Sequence, residues 1–179
     1  MVSGTNSGAR RATARDHGCV ILLPFEVARA ELVASWAVGN EVVRAWCAAE
    51  GDRVPAEVVA GWSQADDVEA YLLTDDAGDP RAYGELWLDD AEGEVELARL
   101  LVAPEHRGRG VGTRLTQALT ARARQAHPEL PTVILRVRPE NEQAIRCYTA
   151  AGFVAVPEEE QASWNEGQRF AYHWMVLPA

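Results

Sequence analysis

Residues 100–113, Leu-Leu-Val-Ala-Pro-Glu-His-Arg-Gly-Arg-Gly-Val-Gly-Thr, constrain this chain more than any other segment. Gly108, Gly110 and Gly112 alternate where an apolar strand gives way to a helical pattern. Glycine adopts positive φ and lets a ligand come close to the backbone. The first N–H groups of a helix are unpaired and carry partial positive charge, so such a junction attracts phosphate. Arg107 and Arg109 add cationic charge. A glycine trio alone would also serve a tight strand-to-helix turn without any ligand. Two better-known phosphate loops are excluded. No Gly-Lys-Ser/Thr is present, so this is not a P-loop. A dinucleotide fingerprint follows the first strand, with an acidic residue about 20 positions later. Here the loop comes late, and His127 and Glu129 suit that role poorly.

The rest of the chain alternates strand and helix signals. A strand is expected over 19–24, a helix over 26–38 with Ala30, Val33, Ala34 and Ala37 on one face, and a stop at Gly39-Asn40. Helical patterns follow at 41–50 and 56–62, then strands at 68–74, 81–88 and 94–102 separated by turn-rich 75–80 and 89–93. A helix over 110–126 carries Val111, Leu115, Ala118, Leu119 and Ala126 as its apolar stripe. A strand at 132–137, a helix opened by Pro139-Glu140-Asn141 and closed by Gly152, and strands at 153–156 and 170–177 complete the order. Polar residues 158–168 read as the link between those last strands. The expected class is a mixed α/β domain.

The length of 179 residues suits one domain, expected over 18–179, with 1–17 as a polar, disordered tail. A formal charge of −10 argues against nonspecific nucleic-acid binding. It suits a cationic small molecule, or simply solubility. No apolar run approaches the ~20 residues of a membrane span. Arg10-Arg11 invites a twin-arginine export reading, but the residues after it are too polar for a signal core. Cys19, Cys47 and Cys147 form neither a disulfide framework nor a zinc pattern, and no metal site is expected. A reducing cytoplasm is the default.

Two motifs carry a resemblance. Arg107-x-x-Gly110-x-Gly112, after the strand ending Leu-Val-Ala-Pro, resembles motif A of the GNAT superfamily of N-acetyltransferases. Asn141-x-x-Ala144-x-x-x-Tyr148-x-x-x-Gly152-Phe153 resembles its motif B, in the expected order and separation. The resemblance implies a mostly antiparallel central sheet, flanked by helices, that splays near its middle and takes acetyl-CoA in the resulting V. It implies that backbone groups of Leu100, Leu101 and Val102 pair with the acetyl and pantetheine part. Amides of Gly108, Arg109, Gly110, Val111, Gly112 and Thr113 would take the pyrophosphate, beside Arg107. Asn141 would bond the pantetheine arm, and is equally an excellent helix N-cap.

The chemistry then asks for a base and a donor. An amine of pKa about 10.4 is neutral in only roughly one molecule in 2,500 at pH 7, a cost of about 4–5 kcal/mol that a general base can offset. Glu94 and Glu96 alternate on the motif A strand and share a face. The place of Glu96, eleven residues before Arg107, resembles that of the catalytic glutamate in histone-type members, so Glu96 is the expected base. Tyr148, near the face of Asn141 and Ala144, is the expected donor to the departing sulfur, or else a core tyrosine. Ribosomal-protein N-terminal acetyltransferases of this superfamily carry a glutamate base five residues before the motif B asparagine. Arg136 stands there instead, and is expected to point outward or to meet a substrate carboxylate.

On the acceptor side, Trp36, Trp46, Trp62 and Trp174 read mainly as core, with Trp87 and Trp164 as pocket candidates. Glu85, Asp89 and Asp90 are possible sources of negative potential, His106 reads as an exposed loop histidine, and His173 as structural. The leading expectation is acetyl transfer to a primary amine of a small cationic molecule. Protein N-terminal or lysine acetylation, and a silent acyl-CoA-binding module, are the alternatives. A homodimer is left open.

Overall fold

Turn chemistry fixes the centre of the sheet. The Asp75 carboxylate accepts N–H bonds from Ala77 (3.0 Å) and Asp79 (2.9 Å), reversing the chain between β2 (Val68–Thr74) and β3 (Pro80–Asp89). Asp89 does the same for Ala91 (3.0 Å) and Glu92 (3.1 Å) before β4 (Glu94–Val102). These side-chain bonds are the local reason that Asp and Gly cluster at such positions. The computed structural model describes residues 20–178. The tail expected at 1–17 and Cys19 lie outside them.

Seven strands form one sheet in the order β1-β2-β3-β4-β5-β7-β6, with β1 at Ile21–Pro24, β5 at Thr132–Val137, β6 at Val154–Ala155 and β7 at His173–Val176. All neighbours are antiparallel except β4 and β5. The expected mixed, mostly antiparallel architecture is therefore what the chain adopts. Glu94, Val95 and Glu96 pair with Thr132, Val133 and Ile134; beyond them β4 and β5 part. A bulge opposite Tyr83 to Glu85 puts Arg99 at φ 46, a left-handed conformation uncommon outside glycine.

Helices cover both faces. α1 (Ala30–Trp36), α2 (Asn40–Cys47) and α3 (Ala56–Trp62) bury Val33, Val43 and Val59 against Tyr83 and Leu101. α4 (Val111–Ala126) lays Leu115, Leu119 and Ala123 on Leu86, Val95 and Leu97 from the opposite face. Truncating either leucine would cost about 2–5 kcal/mol, because both are fully enclosed. α5 (Glu142–Ala150) follows β5. The third cluster joins Ile134, Val156 and Trp174 to Trp164 and Tyr172.

Three expectations need correction. The helix expected from residue 26 begins as a 3-10 turn, Val27–Arg29, and becomes α-helical only at Ala30. The polar stretch 158–168 contains a helix, α6 (Glu158–Trp164), set by Pro157 and three glutamates in its first turn, where carboxylates complement the helix dipole. Gln161 on α6 binds the carbonyls of Val156 (3.0 Å) and Trp174 (2.9 Å) and accepts from Trp174 N–H (2.9 Å). The last strand starts at His173 rather than residue 170, because the Asn165 side chain takes both backbone groups of Tyr172 (2.7 and 2.9 Å) out of the ladder.

Candidate active site

The glycine loop is built as a strand-to-helix junction. A 3-10 turn, Pro104–His106, leaves β4, and Gly108 (φ 71) and Gly110 (φ 78) turn the chain into α4. Side chains rarely adopt this backbone, and open space surrounds both positions, so conformation rather than crowding selects glycine there. Gly112 is different: a Cβ would come 3.0 Å from Cys147 Sγ on α5. Amides of residues 108–113 have no acceptor among the described residues. Six unpaired donors around a helix start fit a diphosphate anion. Arg107 does more than add charge: it donates to the carbonyls of Val102 (3.0 Å) and Trp36 (2.8 Å), strapping the loop to β4 and α1. Arg109 is exposed beside it. His106 is not the exposed histidine expected, because its ring packs within 2.8 Å of Arg81 Nη1.

A cleft of about 660 Å³ opens where β4 leaves β5, lined by Leu100, Leu101, Val102, Arg107 and Asn141. A second cavity of about 430 Å³ continues along Gly108 to Thr113 to Tyr148. Every sequence-predicted cofactor residue except Arg109 borders one of these two spaces. Asn141 caps α5 by accepting from Ala144 N–H (3.1 Å), and its Nδ2 has no acceptor among the described residues. The expected cap is present, and it leaves the side-chain nitrogen uncommitted. The Tyr148 hydroxyl has no hydrogen-bond partner among the described residues. Burial raises its pKa above the ordinary tyrosine value, with the neighbouring Cys147 adding to it. A phenol raised in this way stays protonated near neutrality, so its O–H is available to donate.

Glu96 lies on the opposite face of the sheet from α4 and α5. It belongs to a band running across four strands. Register sets Glu85 beside Ala98 and Trp87 beside Glu96 across β3 and β4, and Arg136 beside Trp174 across β5 and β7; Arg136, two residues beyond the last β4–β5 pair, reaches back to Glu96. Glu96, with 15% of its side chain exposed, ion-pairs with Arg136 Nε at 3.0 Å. Burial pushes its pKa up to about 7, and Glu94 adds to that rise, while Arg136 and Arg99 pull it down. Glu94 is shifted upward mainly by burial too, with Glu92 and Asp89 contributing, and makes no such pair among the described residues.

Arg136 does not point outward. It lies under the rings of Trp87, Tyr172 and Trp174, between 5.2 and 5.6 Å from their centroids, and donates to Gln168 (3.2 Å). The sheet register dictates this, since Arg136 follows Ile134 by two residues and shares its face. Glu85 is likewise no free source of negative potential. It is fully buried, accepts from Tyr83, Trp87 and Arg99 (2.6, 2.6 and 2.7 Å), and is neutralised by Arg99. Asp89 is engaged in its turn. Of the pocket candidates, Trp87 lines the band, whereas Trp164 packs edge-on against Trp174 (5.4 Å). Sequence reasoning missed Arg99, whose guanidinium lies 4.0 Å from the Trp62 centroid and 4.7 Å from that of Trp87. Trp46 is the core residue expected, and its indole N–H also binds the Arg99 carbonyl (2.7 Å) at the bulge. No group of residues suited to a metal ion occurs among the described residues, and no helix there is long and apolar enough to cross a membrane.

The family model described as "Acetyltransferase (GNAT) family" matches residues 35–153. No curated protein matches the sequence. Among solved structures, an aminoglycoside acetyltransferase, AAC(6')-Ib, in complex with coenzyme A and kanamycin is 21% identical with a TM-score of 0.66, covering 88% of this chain and 94% of that one. Spermidine N-acetyltransferase from Vibrio cholerae, with CoA and spermine, is 17% identical with a TM-score of 0.68, covering 88% and 94%. The GNAT domain of S. lividans PAT is 22% identical with a TM-score of 0.70, covering 91% and 92%. These likenesses are likenesses of fold.

Proposed function

Because the chain belongs to the GNAT acetyltransferase family, we propose that it transfers acetyl from acetyl-CoA to the primary amine of a small molecule, cationic at that nitrogen, by direct attack in a ternary complex. The observation that carries this reading is the parting of β4 from β5 immediately after Glu96. Glu96 is the last residue of β4 paired with β5, so its carboxylate stands beside the opening although it lines neither cavity, and the loop beyond β4 carries the unpaired amides of residues 108–113. The solved relatives bound to CoA, kanamycin and spermine support the same choice of cosubstrate and of an amine acceptor.

The residues divide the work. Amides 108–113 and Arg107 would take the pyrophosphate, Asn141 Nδ2 the pantetheine arm, and the backbone of Leu100, Leu101 and Val102 the acyl end. Bound there, the thioester supplies an activated acyl carbon and a sulfur leaving group. Glu96 receives the proton of the incoming ammonium, at a pKa near neutrality where a base is both ionised and effective. A backbone N–H of the β4 edge left without a β5 partner would bind the developing oxyanion. Tyr148 Oη–H donates to sulfur; full proton transfer from a phenol of ordinary pKa to a thiolate is already uphill by about 2 kcal/mol, and burial makes it steeper. The single domain is taken as 18–179, working in a reducing cytoplasm where Cys47 and Cys147 stay free.

Arg136 weighs against N-terminal peptide acetylation, since a cation there cannot accept the ammonium proton. The free Tyr148 hydroxyl weighs against a silent binding module. Release of free thiol from acetyl-CoA over a panel of amines is the test. Turnover with at least one small primary amine is expected. Calorimetry without heat from any coenzyme A thioester, on folded protein, would end the reading.

A further inference from the structure

We infer that the acceptor carries a carboxylate beside its amine, and that this carboxylate lodges against Arg99 and Arg136 over the Trp87 ring. The inference rests on the transfer reading above and names the acceptor class that reading leaves open.

The first support is a surplus of donors. Arg99 gives one bond, to Glu85; Arg136 gives one to Gln168 and pairs with Glu96. Nη2 of both guanidiniums has no acceptor among the described residues. The indole Nε1 of Trp174, in the ring beside Arg136, is buried with no partner among the described residues. The Trp174 indole is a buried donor left unpaired, which is costly, whereas the two Nη2 groups reach solvent and stay available; a planar carboxylate is the acceptor that guanidinium geometry matches best. Neither arginine is sealed in, with 20% and 23% of their side chains exposed.

The second support is charge balance during the reaction. At rest the band is neutral, Glu85 against Arg99 and Glu96 against Arg136. When Glu96 takes the ammonium proton, Arg136 loses its counter-charge. An anionic group on the same acceptor restores it at that moment. A polyamine does the reverse, bringing further positive charge to two guanidiniums, where like charges repel. Trp62, Trp87 and Tyr172 wall the band with rings, so the acceptor body between amine and carboxylate meets apolar surface.

The experiment compares matched pairs that differ only in the carboxylate. Thiol release from acetyl-CoA is followed with L-phenylalanine against phenethylamine, L-lysine against cadaverine, and L-methionine against 3-methylthiopropylamine. In parallel, CoA-saturated protein is titrated calorimetrically with N-acetyl-L-phenylalanine and with N-acetylphenethylamine. The carboxylate-bearing member should lead by roughly 10- to 100-fold in kcat/KM in at least one pair, and in affinity. Arg136→Met should reduce the lead to about threefold or less, and Arg136→Lys should restore part of it. Arg136 also tunes Glu96, but that affects both members of a pair alike, so the ratio isolates carboxylate recognition. Turnover or binding indifferent to the carboxylate, or favouring the amine without it, overturns the inference while leaving acetyl transfer standing. Preferred binding of the N-acetyl acid with no turnover of any amine would sink the transfer reading and uphold the carboxylate site.

Discussion

At the scale of single residues, Glu96 and Tyr148 make separable claims. Glu96 must be ionised to accept a proton, and its pKa is raised to about 7. Activity is therefore gained as pH rises through about 7, and kcat/KM should fall about tenfold per unit below it. Arg136 holds that value down against burial and Glu94, so Arg136→Met should move the acid limb to higher pH. Glu96→Gln should remove the limb and lower kcat/KM by roughly 10²–10⁴; a variant that keeps an unshifted limb would dismiss Glu96 as the base. Tyr148→Phe should lower kcat about 10- to 100-fold, with calorimetric affinity for acetyl-CoA within about twofold. Both residues were legible because motif spacing marks them. The surroundings of Glu96 were not. Strand alternation says that Glu96 and Glu94 share a face, but not that Arg136 and Trp87 face them across two neighbouring strands. Arg99 enters through a bulge whose left-handed position, φ 46, is held by arginine rather than by glycine.

At the scale of elements, the phosphate loop needs its glycines for two different reasons, and substitution tells them apart. Gly110→Ala meets open space but a left-handed backbone, a strain of about 1–2 kcal/mol. Gly112→Ala adds a carbon 3.0 Å from Cys147 Sγ, wedging α4 from α5, and overpacking of this kind costs about 1–3 kcal/mol. Cys147→Ala should recover most of the lost melting temperature and acetyl-CoA affinity in Gly112→Ala, and none in Gly110→Ala. Equal rescue of both, read by thermal melts and calorimetry, would refute the distinction. The elements that position this loop, β4, α4, β5 and α5, were readable because their apolar periods are long and their ends carry Gly, Pro or Asn. α6 was not, since its exposed glutamates leave no apolar stripe and its reason for being helical lies in Gln161 reaching β7. The late start of β7 depends on Asn165, seven residues before Tyr172 and joined to it only by folding.

At the scale of the whole molecule, the parallel junction of β4 with β5 is confined to Glu94–Glu96 and Thr132–Ile134, yet it joins the half of the sheet that carries α1–α3 to the half that carries α6. Beyond it the halves are held by α4 and α5, whose contact runs through Gly112 and Cys147. A cosubstrate seated in the V would touch the loop before α4 on one side and Asn141 at the start of α5 on the other. It would also reach α1 indirectly, because Arg107 ties the loop to the Trp36 carbonyl. Binding should therefore stabilise more than the loop. At a hundredfold excess over Kd the gain is about 2.7 kcal/mol, or roughly 5–10 °C in Tm for a chain of this length. Hydrogen exchange should locate it: protection is expected in residues 107–115, in the first turn of α5, and in the β5–β7 pair across the gap. Arg107→Ala should remove the protection that reaches the C-terminal end of α1 and leave that at α5. Protection confined to the glycine loop, with β5 and β7 exchanging as in the free protein, would mean that the two halves move independently and that the V is not closed by what it binds.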